Sequence, residues 1–306
     1  MDMNGTGTTR HGEDAQGVGW IGAGKMGAPM IRNLLASGIT VAVTDPDTRV
    51  SADLAQGGAT VAQDLAEHGA NGVVFATLPN DKVLRDVVIG TAASPGLAQH
   101  MARGSVFVEM STVSPGCSAD VASALQNAGV FYLRAPLSGS TTLAERAALT
   151  VLASGDAQAW TTALPLIRVL SQRQFYLGPG EEARYMKLVV NTLVGATSAI
   201  LAEAIALGAS GGLTPASMME VICESAVASP LLKYKTAAVV SQDYTAAFTI
   251  QQMMKDFSLI SDAGRANGVP LLTTGLILEL YRAAANSGLQ DEDFFALVKW
   301  QSEISA

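Results

Sequence analysis

The sequence predicts an α/β protein with an N-terminal doubly wound Rossmann domain, an all-α C-terminal domain and a long helix joining the two. Three observations predict it. Short apolar segments alternate with helical patterns through the first half of the chain. A glycine-rich turn follows the first of these segments. After Leu177–Gly180 (LGPG) the strand-like segments stop and helical patterns continue to the end. At 306 residues, the chain is long enough for two domains of about 150 residues each.

The strand-like segments of the first half are almost continuously apolar, as expected for strands buried on both faces of a parallel sheet. In chain order they are GVGWIG, ITVAVT, GVVFAT, SVFVEM, VFYLRAP, ALTVLAS and QFYLG. Helical patterns at 26–37 and 113–128 lie between them. We therefore expect a dinucleotide-binding Rossmann domain over residues 17–179.

The second half begins with a helical pattern from Glu181 to about Gly208, which at 1.5 Å per residue would reach about 40 Å. Its apolar stretch is long enough to resemble a membrane span. Asn191 and Glu203 interrupt it, and no basic flank marks an inner side, so we expect a helix buried in a protein core and no membrane partner. Residues 180–306 are predicted to form a helical substrate and oligomerisation domain, and residues 1–16 a flexible tail.

Composition excludes several classes of function. The net charge of −8 disfavours a nucleic-acid partner, which would need a basic surface for phosphates. The two cysteines, Cys117 and Cys223, are far apart and in no ligand spacing. We therefore expect no disulfide framework, no metal site and a reducing, cytoplasmic location.

The glycine-rich turn has the pattern G-x-G-x-x-G at Gly22, Gly24 and Gly27, between a strand-like segment and a helical one. The first glycine permits a tight turn, the second lets a pyrophosphate approach, and the third lets the helix pack on its strand. Free N–H groups at the helix start then face the anion, next to Lys25 and Met26. The pattern predicts a bound dinucleotide.

The acid that follows the second strand-like segment bears on which dinucleotide is bound. The carboxylate of Asp45 can accept hydrogen bonds from ribose hydroxyls and would repel a 2′-phosphate. Asp47 adds a second negative charge beside it. We therefore expect NAD, and the nearby Arg49 keeps NADP open because a guanidinium can pair with that phosphate.

Hydride transfer needs a group that exchanges a proton with the substrate oxygen. Of the three histidines, His11 lies in the tail, and His68 and His100 lie in predicted connections. The chain contains no Tyr-x-x-x-Lys and no zinc-ligand spacing.

Lys187 and Asn191 remain, four residues apart and thus on one helix face among apolar residues. Desolvation would lower the pKa of this lysine toward the working range of a general acid. From the residues alone, a solvated surface lysine is the favoured interpretation, because a lysine in the first turns of a helix usually faces water.

Further motifs accompany this pair in a fixed order along the chain. They are GAGKMG at 22–27, Leu78–Pro79, EMSTVSP with Ser111 and Thr112, RAPLSGS with Ser138 and Gly139, Lys187 with Asn191, and Lys255–Asp256–Phe257. Together, from Gly17 onward, they resemble the β-hydroxyacid dehydrogenase family of 3-hydroxyisobutyrate dehydrogenase-like enzymes.

The resemblance implies NAD(P)-dependent interconversion of a small β-hydroxyacid and its semialdehyde. It implies that Lys187 is the general acid/base and that Asn191 orients it or the substrate. It further implies substrate contacts from Ser111, Thr112, Ser138 and Gly139. Lys255 would close the cleft. The implied cofactor contacts are the 22–27 turn, Leu78, Pro79, Thr112 and Lys255.

Four positions depart from the family pattern: Glu109, Arg134, Ser140 and Ala147. They crowd around the substrate loop, so they leave the substrate open. One hypothesis is that Arg134 or Ser140 recognises a second polar group of the substrate. The alternative is that Arg134 pairs with a neighbouring acid at a strand end.

Three other functions agree with parts of the sequence. An imine reductase shares this scaffold but usually replaces the lysine that is present here. A decarboxylating phosphogluconate enzyme would need a histidine where Val190 stands. A catalytically silent dinucleotide-binding protein would not need the lysine, the asparagine and both serines together. The apolar helical half predicts a homodimer or homotetramer.

Overall fold

The structure is a computed structural model that describes residues 17–305. The predicted flexible tail over residues 1–16, with His11, lies outside the described residues.

The strands are β1 Val18–Ile21, β2 Val41–Thr44, β3 Thr60–Val61, β4 Val73–Ala76, β5 Gly90–Thr91, β6 Ser94–Pro95, β7 Val106–Glu109, β8 Phe131–Arg134, β9 Leu137–Ser138, β10 Leu149–Gly155 and β11 Ser171–Tyr176. The helices are α1 Gly27–Ala36, α2 Thr48–Gln56, α3 Asp81–Val88, α4 Pro115–Ala128, α5 Thr141–Glu145, α6 Ala157–Leu170, α7 Glu182–Ser210, α8 Pro215–Glu224, α9 Pro230–Ser241, α10 Ile250–Ala266, α11 Leu272–Ala284 and α12 Leu297–Ile304.

The main sheet has the strand order β11-β10-β8-β7-β4-β1-β2-β3. The strands from β3 to β8 in this order run parallel, and the order reverses at β1. Ile21 pairs in register with Thr44 and Ala76, and the next strand places Glu109 beside Ala76. The loops that follow β1, β2, β4 and β7 therefore meet at one edge, where doubly wound sheets bind ligands.

The predicted fold class is confirmed, with one correction to the sheet. β10 runs antiparallel to β8, and β9 pairs antiparallel with β10. A continuous apolar segment looks the same in either direction, so the sequence pattern does not carry strand direction. The two-residue strands β3, β5 and β6 were not predicted because two residues are too few to show a period.

Helix α7 begins and ends within two residues of its predicted bounds and, at 1.5 Å per residue, is about 43 Å long. One face packs in the helical half: Gly195 leaves room for Phe257, and the Ser198 hydroxyl donates to the carbonyl of Phe294. The predicted burial in a protein core applies to this face only. The opposite face leaves an apolar stripe exposed, formed by Met186, Val189, Leu193, Ile200 and Leu207.

Among residues 17–305, α7 is the one helix whose length and apolar composition would suffice to cross a membrane. Less than half of its most apolar window is buried in the structure. A core helix of a water-soluble protein meets the same criterion, so this property alone does not indicate a membrane.

The turn between α5 and β10 contains backbone strain. Ala147, one of the four departures from the family pattern, adopts φ = +52°, in the left-handed region that favours glycine. We expect Ala147→Gly to raise the free energy of unfolding by about 0.5–1 kcal/mol. Thermal unfolding of the variant and of the unsubstituted protein measures this difference in stability. The neighbouring Ala148→Gly is the control and should lower the melting temperature. A lower melting temperature for Ala147→Gly would contradict the strain.

Candidate active site

The glycine-rich turn brings two loops together and leaves one side open. Gly22 has φ = +86°, and a Cβ there would lie 2.3 Å from the carbonyl oxygen of Thr77. A Cβ on Gly27 would lie 2.3 Å from the carbonyl oxygen of Gly22. By contrast, a Cβ on Gly24 would meet no atom of the described residues within 4 Å. The turn is therefore closely packed at Gly22 and Gly27 and open at Gly24, beside the first turn of α1. This open space suits a bound pyrophosphate.

The carboxylate of Asp45 ties the end of β2 to this turn. One oxygen accepts from the backbone N–H of Ala23 at 2.6 Å and the other from that of Asp47 at 2.8 Å. Asp47 in turn holds the guanidinium of Arg49 with two hydrogen bonds of 2.9 and 3.0 Å. Arg49 is highly exposed, and its charge is matched by Asp47. Two carboxylates therefore stand at the position expected for the ribose.

The loops after β4 and β7 are hydrogen-bonded to each other. The N–H of Leu78 donates to the hydroxyl oxygen of Ser111 at 2.7 Å. Ser111 is buried, whereas Pro79 is exposed. The hydroxyl of Ser111 accepts this bond and keeps its own proton to donate.

Helix α10 reaches the same loop from the helical half. The Lys255 ammonium donates to the carbonyl oxygen of Thr112 at 2.9 Å. The Lys255 nitrogen also lies 3.1 Å from the carboxylate of Asp256, which is fully buried. The contact closes the gap between the two halves of the chain at the end of β7.

Lys187 and Asn191 face this junction from α7. Burial lowers the pKa of Lys187 below the usual value of a lysine; the Asp256 carboxylate opposes that shift, and the charge of Lys255 adds to it. The Asn191 amide is buried and donates to the Asp256 carboxylate. The structure thus brings Lys187, Asn191 and Lys255 around one buried acid.

Asp256 was not among the site residues that the sequence predicted. Its only signal was its place beside Lys255 in the Lys255–Asp256–Phe257 motif. Nothing in the local pattern indicates that it is fully buried or that it contacts Asn191, which lies 65 positions away.

The expected substrate loop follows β8. Its short strand β9 packs beside α7 and pairs Ser138 with Thr150 of β10. Gly139 adopts φ = +140°, and Ser140 precedes α5. The Ser140 hydroxyl is buried and has no hydrogen-bond partner among the described residues.

The substrate interpretation of Arg134 needs correction. The side chain is buried, forms an ion pair with Glu181 and donates to the Ser118 hydroxyl at 3.0 Å. The guanidinium also lies 4.4 Å from the centre of the Tyr132 ring. These contacts support the alternative interpretation, in which Arg134 pairs with an acid at a strand end.

Two family models match the chain. The one described as the NAD binding domain of 6-phosphogluconate dehydrogenase matches residues 17–178. The one described as the NAD-binding domain of NADP-dependent 3-hydroxyisobutyrate dehydrogenase matches residues 182–301.

Whole-length relatives agree with these matches. The chain is 32% identical to 2-(hydroxymethyl)glutarate dehydrogenase of Eubacterium barkeri, over 93% of this chain and 94% of that protein. It is 31% identical to the NAD-dependent L-serine dehydrogenase of Pseudomonas aeruginosa, over 92% and 96% of the two chains. Its structure is similar to that of 3-hydroxyisobutyrate dehydrogenase from Salmonella typhimurium, with a TM-score of 0.83 and 27% identity over 92% and 99% of the two chains. An imine reductase from Pseudomonas sp. shares the fold, with a TM-score of 0.58 and 21% identity over 93% and 98%.

Proposed function

The chain belongs to the β-hydroxyacid dehydrogenase family of 3-hydroxyisobutyrate dehydrogenase-like enzymes, and from that premise we propose how its residues divide the work. It is an NAD(P)-dependent oxidoreductase that interconverts a small β-hydroxyacid and its semialdehyde. We assign proton transfer to Lys187. The observation that carries this assignment is the cluster of Lys187, Asn191 and Lys255 around the buried Asp256, where α10 contacts the loop after β7.

The cofactor side of the site fits a dinucleotide. When bound, NAD supplies the acceptor for the hydride that leaves the substrate carbon. The open side of the turn at Gly24 leaves space for the pyrophosphate, and Asp45 stands where the ribose is expected. The further residues that we assign to the cofactor are Gly22, Lys25, Met26, Gly27, Leu78, Pro79, Thr112 and Lys255.

Lys187 would take the hydroxyl proton during oxidation and return it during reduction. Its burial favours the neutral amine, which a general base must be. Asn191 donates its amide N–H to Asp256, so its amide oxygen is directed away from that carboxylate and can accept from the ammonium of Lys187 or from the substrate hydroxyl. We therefore propose that Asp256 fixes the orientation of Asn191.

We propose that the substrate carries a single recognised carboxylate. Donors for it are the free hydroxyl protons of Ser111 and Ser138, the N–H of Gly139 and the unpartnered hydroxyl of Ser140. Arg134, which would suit a second carboxylate, is committed to Glu181. These features favour monocarboxylates such as 3-hydroxyisobutyrate, 3-hydroxypropionate, serine or glycerate. Imine reduction stays the second candidate through the shared fold, and the presence of Lys187 weighs against it.

We propose a cytoplasmic homodimer or homotetramer, with residues 180–306 as the oligomerisation domain. The exposed stripe on α7 repeats every seven residues at Met186, Leu193, Ile200 and Leu207, a spacing typical of helix–helix seams. So continuous an apolar face favours burial against a second copy.

Lys187→Ala should lower kcat for hydroxyacid oxidation by about 10²–10⁴-fold, because the proton acceptor is lost, while leaving the affinity for NAD unchanged. NADH absorbance with the four monocarboxylates named above measures turnover, and fluorescence titration measures NAD binding.

In the unsubstituted enzyme, the oxidation rate should rise with pH through an apparent pKa below a lysine's usual value of about 10.5, since the base form is the active one. Normal turnover by Lys187→Ala would refute the assignment, and turnover of cyclic imines alone would favour the second candidate.

Asp47→Asn should raise kcat/KM for NADP about tenfold, because the guanidinium of Arg49 loses its carboxylate partner and becomes available to a 2′-phosphate. Asparagine keeps the capping oxygen that Asp47 supplies to α2. The matched control, Asp47→Asn with Arg49→Gln, should lose the gain. Equal NADP kinetics in the two variants would show that Arg49 plays no part.

Leu193→Lys with Ile200→Lys should reduce the molar mass measured by light scattering to that of the monomer, because two charges would be buried in the seam. The control is Ile89→Lys, an exposed apolar position in the N-terminal half. It should leave the mass unchanged. A monomeric unsubstituted protein, or an unchanged mass in the double variant, would contradict the seam.

A further inference from the structure

Four charged residues lie where α7 leaves the sheet, and we call them the junction tetrad. They are Glu109, Arg134, Glu181 and Arg184. Glu109 and Arg134 end neighbouring strands β7 and β8, where they pair in register. Glu181 and Arg184 stand three residues apart at the start of α7. The charges alternate, so each strand end finds an opposite partner on the helix: Glu109 with Arg184, and Arg134 with Glu181.

Arg184 makes the most extensive contacts of the four and is almost completely buried. Its guanidinium forms an ion pair with Glu109, donates to the carbonyl oxygen of Ser111 at 2.8 Å and donates to the hydroxyl of Tyr132 at 3.0 Å. The other carboxylate oxygen of Glu109 accepts from the N–H of Ser111 at 2.5 Å. Arg184 therefore binds the loop after β7 directly, at the Ser111 carbonyl, and also indirectly, through Glu109.

The same loop is held from a second helix. Arg184 of α7 donates to the carbonyl oxygen of Ser111, and Lys255 of α10 donates to the next carbonyl oxygen, that of Thr112. Two cations from the helical half thus hold successive peptide groups of one loop in the Rossmann half.

Arg184, Lys187 and Asn191 are spaced i, i+3 and i+7, so they share one face of α7. Fixing the guanidinium of Arg184 against the end of β7 sets the rotation and the depth of that face. The planar guanidinium holds its donors in fixed directions, so bonds from Nη1 to the Ser111 carbonyl and from Nη2 to Glu109 fix orientation as well as distance.

We propose that Arg184, together with Glu109, is a positioning residue that sets Lys187 against the substrate loop at Ser111–Thr112. The inference rests on the proposed role of Lys187. It also accounts for Glu109 and Arg134, two departures from the family pattern: each has an oppositely charged partner on α7, so they complete a junction rather than select a substrate.

A purely structural role would give a different result from a positioning role. Replacing both members of a buried ion pair by neutral residues of similar size is often nearly neutral for stability, since no unpaired charge remains. A displacement of about 1 Å at a catalytic group, in contrast, can cost about 10²-fold in rate.

The test is the double variant Glu109→Gln with Arg184→Met. We expect an affinity for NAD equal to that of the unsubstituted enzyme and a kcat at least tenfold lower. We also expect the apparent pKa of the pH–rate profile to rise. The rise follows because Lys187, which is half-buried and which the Lys255 ammonium and the Asp256 carboxylate face from α10, would become more exposed to water.

The chain offers a matched control in a second buried ion pair. Lys235 donates to Asp293 at 2.7 Å in the helical half, and both side chains are buried. Lys235→Met with Asp293→Asn should leave kcat and the pH profile unchanged, whether or not the melting temperature shifts.

The single variant Arg184→Lys keeps the charge but loses the fork. It should fold, with a kcat between those of the unsubstituted enzyme and the double variant. It therefore serves as the test if the double variant fails to fold. Unchanged kcat and pH profile in the folded variants would overturn the positioning role. If Lys187→Ala is inactive in the same assays, only the positioning role fails; if Lys187→Ala is active, the proposed function fails first.

Discussion

Charge that is buried between the sheet and α7 must be paired, and this requirement shapes the site. Burial lowers the pKa of Arg184, and an arginine guanidinium nonetheless stays protonated at neutral pH. An unpaired guanidinium in this position would cost several kcal/mol. Glu109 removes that cost and, because it ends β7, fixes the helix to the strand whose loop carries Ser111. The long helix is thus attached to the sheet beside the loop where we propose that proton transfer takes place.

The two sides of the site use backbone and charge in different ways. On the cofactor side, close packing at Gly22 and Gly27 fixes the turn, and the open space at Gly24 leaves room for a ligand. On the proton-transfer side, one fully buried carboxylate, Asp256, organises the amide of Asn191 and the ammonium of Lys255. Lys187, which is half-buried, thus has charged and polar neighbours and not apolar groups alone.

Local sequence patterns predict much of the fold and of the site. The strand-like segments and the glycine turn depend on neighbours in sequence, and the structure has them where they are predicted. Local patterns do not predict that β10 runs antiparallel to β8 or that one face of α7 is exposed, because both depend on which elements lie beside them. Arg134 shows the same limit: its residue type suggested an anion, and only the fold supplied Glu181 as that anion.

By itself, the sequence determined the two-part α/β architecture, the dinucleotide turn and the face that pairs Lys187 with Asn191. These follow from periodicity and from short motifs, which the chain encodes over a few residues. The tertiary structure alone decided that Asp256 of α10 contacts that face, that Lys255 reaches Thr112, and that the junction tetrad pairs as it does. Each of these contacts joins residues at least 47 positions apart. Only the packing of the helical half against the sheet brings them within hydrogen-bonding distance.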